Sequence, residues 1–253
     1  MNETATQRKV ALITGAARRI GAQIAKTLHQ QGCHVIIHYH QSEREAHDLV
    51  AQLNEVRPYS AALVQADLRD MEQMKLAVKN ALAIWGQLDI LVNNASCFFA
   101  TPPGQLSSVE WTELMDINCK AAYFLSQMVL SALQQTNGTI INILDTYADK
   151  PLQHYAIYCA SKAALAALTK ALAIDLAPTI RVNAIAPGKT IWPEGKNALS
   201  EQQKQVIESA IPLQRHGDPT DVANAVVFLA LHAPFMTGQT IAIDGGSSIK
   251  PIV

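Results

Sequence analysis

An α/β architecture, one domain over residues 1–253 with a doubly wound parallel sheet, follows from three features of the sequence. Short apolar runs rich in β-branched residues alternate along the chain with longer stretches whose apolar residues recur at helical spacing. The first run passes through a glycine-containing turn directly into a helical stretch. No linker, internal repeat or low-complexity segment divides the chain, and 253 residues suffice for one large core. Strands of this kind are buried under helices on both faces, right-handed crossovers leave one simple winding, and the ligand crevice lies at the carboxyl ends of the strands.

The first run, Lys9 to Thr14 (KVALIT), ends at Gly15, and Ile20, Ile24 and Leu28 then mark a helix over Ile20 to Gln31. Cys33 to Tyr39 (CHVIIHY) is the second strand, and Ala46, Val50 and Leu53 share one side of a helix within Ser42 to Glu55. Ala61 to Gln65, Met71 to Ile84 and Leu88 to Asn93 repeat the unit, followed by one long helical region from Ser107 to Leu133 and the apolar strand Thr139 to Leu144. A helix from about Tyr155 to Leu176, a strand from Ile180 to Ala186, a helix near Asp221 to Leu231 and a last strand near Thr240 to Ile243 complete the pattern. Lys189 to Glu201, with Pro193 and Gly195 as turn formers, reads as a mobile insertion.

Composition narrows the partners. With 49% hydrophobic and 16% charged residues the chain lies outside the disordered regime. A net charge of -1 with interleaved signs offers no footprint for nucleic acid or an anionic membrane surface, which leaves a small molecule. Met1 to Val10 is polar without an apolar leader segment, and the expected location is the cytoplasm. Cys33, Cys97, Cys119 and Cys159 form no CxxC pair and read as free thiols; no metal is implied.

Thr14-Gly15-Ala16-Ala17-Arg18-Arg19-Ile20-Gly21 feeds a helix whose free N–H groups and positive dipole end suit a pyrophosphate. A tight turn needs glycine even without a ligand, so position at the first strand-to-helix switch adds the weight. After the second strand, His38-Tyr39-His40-Gln41-Ser42 lacks the carboxylate that would hold a ribose 2′-OH and repel a 2′-phosphate. Arg18 reads either as a phosphate contact or as a solvated surface charge, and His38 as a strand residue packed in the sheet.

Tyr158 and Lys162, four apart, share one face of a helix, so the phenol and the ammonium group meet in one site. A cation favours the ionised phenol, whereas an ionised Asp145, at the end of the preceding strand, opposes it and keeps Tyr158 able to donate a proton.

These residues resemble the short-chain dehydrogenase/reductase family over essentially the whole chain, and within it the pteridine reductases. The first turn is similar to TGxxxGxG, with Gly15 and Gly21 in place and Arg19 at the middle glycine. His38 to Ser42 resembles HYHRS with Gln41 for the arginine, and Asn93-Asn94-Ala95-Ser96 resembles NNAG with serine for the glycine. Asp145 stands where most members of the family carry a serine, and the Asp–Tyr–Lys set is the pteridine reductase arrangement.

The resemblance implies a Rossmann-like fold, NADPH as cofactor, a homotetramer and a pterin substrate of the dihydrobiopterin, dihydromonapterin or dihydrofolate class. Cofactor contacts carried over are Gly15, Arg19, Ile20, Gly21, Tyr39, His40, Gln41, Ser42, Asp67, Leu68, Asn94, Ala95, Ser96, Lys162, Pro187, Gly188 and Thr190. Asp145, Tyr158, Lys162 and Asn118 form the catalytic set, with Asn118 supporting the lysine through water; Ser96, Phe98, Asp145, Tyr158 and Gly188 meet the substrate. Phe98 matches the aromatic residue that stacks on the pterin, while Phe99 reads as packing and Trp192 as either a pocket cover or an interface aromatic. A 3-oxoacyl or other carbonyl reductase, and an NADPH-binding regulator without turnover, are the alternative functions.

Overall fold

The computed structural model describes residues 8–192 and 199–249. Among them the strands are β1 (Val10–Ile13), β2 (His34–Tyr39), β3 (Ala61–Gln65), β4 (Ile90–Asn93), β5 (Thr139–Ile143), β6 (Arg181–Pro187) and β7 (Thr240–Ile243). The helices are α1 (Arg19–Gln30), α2 (Glu43–Val56), α3 (Met71–Trp85), α4 (Ser108–Met115), α5 (Ala121–Met128), α6 (Leu130–Thr136), α7 (Ala156–Asp175), α8 (Glu201–Ala210) and α9 (Pro219–Val227). All strand pairs are parallel, in the order β3-β2-β1-β4-β5-β6-β7.

The four residues of β1 explain the two helical layers. All are buried, and successive side chains on a strand point to opposite faces. Ala11 and Ile13 join a cluster with Ile24 and Leu28 of α1 and Val226 of α9. Val10 and Leu12 join another with Met74 of α3, Leu125 of α5 and Leu172 of α7. Winding reverses at β1, which lies between β2 and β4, so a crevice opens beyond the carboxyl ends of β1 and β4.

Two stretches differ from the sequence expectation. The region from Ser107 to Leu133 is not one helix: α4 passes through a wider π turn, Asp116–Lys120, into α5, and Val129, at φ -103 and ψ 2, separates α5 from α6. The wider turn carries buried Asn118 towards Cys97 and Ser161. Helix α8 occupies a stretch where no element is predicted, although Ser200 and Gln203 form a capping box that announces it. Pro193 and Gly195 of the expected mobile insertion lie outside the described residues.

Helix α7 is long and apolar enough to cross a membrane by length and composition. Its Leu165, Leu172 and Ala173 are instead packed into the protein core, and it carries Tyr158 and Lys162 to the site. All four cysteines are free thiols, with Cys33, Cys119 and Cys159 buried.

Candidate active site

One cleft of about 770 Å³ opens beyond the carboxyl ends of the strands. Every predicted site residue except Asn118 lines it, together with Arg18, His38 and Trp192.

At one end the turn after β1 is held by the segment after β4. Thr14 Oγ1 accepts from the N–H groups of Asn94 and Ala95, both at 2.9 Å, and the Asn94 amide donates to Thr14 O at 2.8 Å and Gly15 O at 3.1 Å. Gly15 lies at φ +61, and a Cβ there would meet Ala95 Cα at 2.9 Å. A Cβ on Gly21 would come within 2.5 Å of both Asn94 Nδ2 and Gly15 O. Positions 15 and 21 are thus closed to any side chain, and α1 rests directly on the turn.

Helix α1, like α2, α5, α6 and α7, has no side-chain cap, and no acid lies in its first turn. Its first N–H groups lack partners within the helix, so a pyrophosphate fits this start both sterically and electrostatically. Arg19 keeps a glycine-like backbone at φ +57 while adding a guanidinium. Arg18 is an exposed partner of Glu45 at 3.5 Å.

Beyond β2 and β3, Tyr39, His40, Gln41, Ser42, Asp67 and Leu68 line the cleft. Arg69 grips the Asp67 carboxylate, with its closest contact at 2.6 Å, and these hydrogen bonds hold Asp67 down at about 2. His40 Nε2 lies 3.7 Å from the same carboxylate. The acid in this corner is therefore matched by the Arg69 guanidinium.

At the other end Asp145 follows β5 in an extended conformation and caps a short turn, its Oδ1 accepting from Tyr147 N–H at 2.9 Å. Its Oδ2 accepts the hydroxyl of Tyr158 at 2.7 Å. Tyr158 stands in the first turn of α7, and Lys162, one turn on and 2% exposed, donates to Ile143 O at 3.0 Å with its Nζ 5.8 Å from the Tyr158 ring centre.

Burial, then the Asp145 charge and hydrogen bond, hold the Tyr158 phenol far above its ordinary value. Burial lowers Lys162 to about 8 against the pull of Asp145. Burial raises Asp145 even though Tyr147 N–H, Tyr158 and Lys162 each favour its ionised form. The arrangement keeps a proton on Tyr158 and supplies an acceptor for its hydroxyl hydrogen.

Asn118 sits behind this group. Its carbonyl accepts from Cys97 N–H at 2.9 Å and Ser96 Oγ at 3.0 Å, while its amide donates to Cys97 O and Ser161 Oγ, both at 3.0 Å. These bonds fix the loop carrying Ser96 and Phe98. The Phe98 ring stacks on Tyr155 with centres 4.5 Å apart and meets Tyr158 edge-on at 4.7 Å, leaving the residue 52% exposed in the cleft. Phe99 packs beside Leu114 and Tyr158, as expected of a packing residue.

After β6, Pro187, Gly188 and Thr190 border the cleft, and Thr190 Oγ1 donates to Gly188 O at 3.1 Å. Trp192 lines it too, stacked on His216 with centres 3.9 Å apart. Sequence reasoning missed Thr14 as the clamp of the turn, Arg69, Ser161, Tyr147 and His216. Thr14 was visible as a polar residue at a strand end; the others meet the site only through folding.

A family model described as Enoyl-(Acyl carrier protein) reductase matches residues 15–248. Pteridine reductase 1 of Leishmania tarentolae is 34% identical over 281 residues, covering 95% of this chain and 96% of that protein. The 3-oxoacyl-[acyl-carrier-protein] reductase FabG of Staphylococcus aureus (strain Mu50 / ATCC 700699) is 36% identical over 241 residues, covering 94% and 97%. Short-chain dehydrogenase/reductase GME11373 of Pestalotiopsis microspora is 33% identical over 252 residues, covering 94% and 95%. With its parallel sheet, glycine turn and Tyr158–Lys162 pair, the chain belongs to the short-chain dehydrogenase/reductase family and is an NAD(P)(H)-dependent oxidoreductase.

Proposed function

We propose that this enzyme reduces a pterin of the dihydrobiopterin, dihydromonapterin or dihydrofolate class, using NADPH. The observation that carries the proposal is the 2.7 Å hydrogen bond from Tyr158 to Asp145. A carboxylate at this position keeps the phenol protonated and offers an acceptor to a ring N–H or amino group, which a carbonyl substrate does not present. Phe98 supports the same reading, because its half-exposed ring beside Tyr158 suits offset stacking with a flat heteroaromatic ring.

When bound, the reduced dinucleotide supplies the hydride. The start of α1 and Arg19 hold its pyrophosphate, His40, Gln41 and Ser42 its adenosine phosphate, and Asp67, Leu68, Asn94, Ala95 and Ser96 border the adenosine and nicotinamide ribose. Lys162 holds the nicotinamide ribose and Thr190 a phosphate. Tyr158 donates the proton to the reduced ring, Lys162 tunes it, Asp145 orients the substrate and relays a proton, and Asn118 positions the loop of Ser96 and Phe98. The absence of a carboxylate between His38 and Ser42 supports NADPH over NADH. On the same reading the enzyme is a cytoplasmic homotetramer, as the family resemblance implies.

A second reading, reduction of a 3-oxoacyl thioester, draws on the similarity to the staphylococcal FabG. Oxidation of NADPH by the purified enzyme, with dihydrobiopterin and dihydrofolate compared against an acetoacetyl thioester, decides between them. Turnover of the thioester alone overturns the pterin assignment. NADPH binding without consumption across the panel points to a regulator.

A further inference from the structure

His38 meets three strand ends at once. The residue is 4% exposed. Nδ1 accepts from Gly15 N–H at 3.1 Å, Nε2 lies 3.2 Å from Ala66 O, and its own carbonyl accepts from Ala16 N–H at 2.9 Å. An amide N–H only donates and a carbonyl only accepts, so these partners select the neutral ring with its hydrogen on Nε2. Burial, reinforced by His40, lowers its pKa to about 4 although the Ala66 carbonyl opposes the shift, and the ring is neutral at physiological pH.

One residue of β2 thereby binds two consecutive amides of the turn after β1 and ties them to the end of β3. The opposite side of that turn is clamped by Thr14, Asn94 and Ala95, leaving Gly15 no room to shift toward Ala95. Without an acceptor at the Nδ1 position, the partly buried Gly15 N–H loses its protein partner, and the peptide is free to rotate away from its present direction toward the cleft. That rotation moves the first turn of α1, the anion-binding surface.

We propose that His38 is a positioning residue for the dinucleotide: through Gly15 and Ala16 it preforms the turn on which the cofactor's pyrophosphate rests. The inference rests on the reading of the cleft as a dinucleotide site. Gln41, Ser42 and His40 would contact the cofactor; His38 acts through the backbone of another element.

Two substitutions separate the ring's two bonds. In His38→Asn the amide oxygen stands on the same carbon as Nδ1 and retains an acceptor for Gly15 N–H, whereas His38→Gln carries its amide out to the Ala66 carbonyl and abandons Gly15. Calorimetric titration with NADP+ is expected to give His38→Gln a roughly tenfold or greater rise in Kd. His38→Asn should stay within about threefold of the parent. In steady state the Gln defect appears in the cofactor KM more than in kcat, and melting curves of the unliganded proteins separate positioning from loss of fold.

A Gln variant that binds as tightly as the parent overturns the assignment, as do Asn and Gln variants weakened equally and in step with their melting temperatures. Independently of any variant, long-range nitrogen spectra of the unsubstituted protein should show His38 neutral, protonated on Nε2, with its Nδ1 signal moving when NADP+ binds; the other tautomer overturns it. A parent protein that binds neither NADP+ nor NAD+ overturns the dinucleotide reading itself.

Discussion

Tyr158 points its hydroxyl at Asp145 Oδ2, 2.7 Å away, while the ammonium of Lys162 is held by Ile143 O at 3.0 Å. The nearer partner of the phenol is thus an acceptor, not the cation. Burial, then the charge and hydrogen bond of Asp145, favour the protonated phenol, whereas a cation such as Lys162 favours the ionised one.

Tyr158→Phe removes the donor without changing the ring that Phe98 meets. Turnover should fall by roughly a thousandfold, within the range lost with a general acid, while NADPH binding measured by fluorescence titration stays within about twofold. Retained activity would remove Tyr158 from the chemistry.

Asp145→Asn keeps the shape and removes the charge. The carboxylate raises both Tyr158 and Lys162, so its loss lowers both, and the alkaline limb of the kcat/KM profile moves to lower pH by about one unit. An unmoved limb would mean that neither group sets it.

Lys162 trades stability for function. Its pKa of about 8 in the fold lies below the unfolded value, so between these values the unfolded chain binds more protons and stability rises with pH; below about 8 the buried cation carries its full cost. Lys162→Met removes that cost but also the bond to Ile143 O, for a net gain of about 2 kcal/mol and a Tm rise of about 5 °C. Turnover is lost. Calorimetric melting at neutral pH checks the sign.

Arg19 occupies a left-handed backbone position at φ +57 that a residue with a Cβ adopts at a cost of about 1 kcal/mol. Arg19→Gly should raise the Tm by about 3 °C and weaken NADPH several-fold, roughly the loss of one charge-assisted hydrogen bond. Unchanged affinity would place Arg19 outside the phosphate site.

Gln41 borders the cleft beyond β2 with a neutral amide. Gln41→Arg adds a planar cation where a 2′-phosphate would rest, and the ratio of kcat/KM for NADPH over NADH should rise by roughly tenfold. A constant ratio would move the 2′-phosphate elsewhere.

The alternation of apolar periods determined the architecture, because a strand buried on both faces and a helix buried on one leave different local patterns: β1, β2 and α1 were all legible in KVALIT, CHVIIHY and Ile20, Ile24, Leu28. The same reading placed the glycine turn, Asp145, Tyr158 and Lys162 at one edge of the sheet, since motif spacing fixes which strand end or helix turn carries a residue. Tertiary structure alone decided the rest. The π turn at Asn118 exists because its amide finds Cys97 and Ser161 across the fold, and Arg69 matches Asp67 only once the turn after β3 closes. His38 read as sheet packing, but its two ring bonds go to backbone 23 and 28 residues distant. Local patterns encode which face a side chain takes; the partner waiting on that face is set by strand order, which no short stretch of sequence contains.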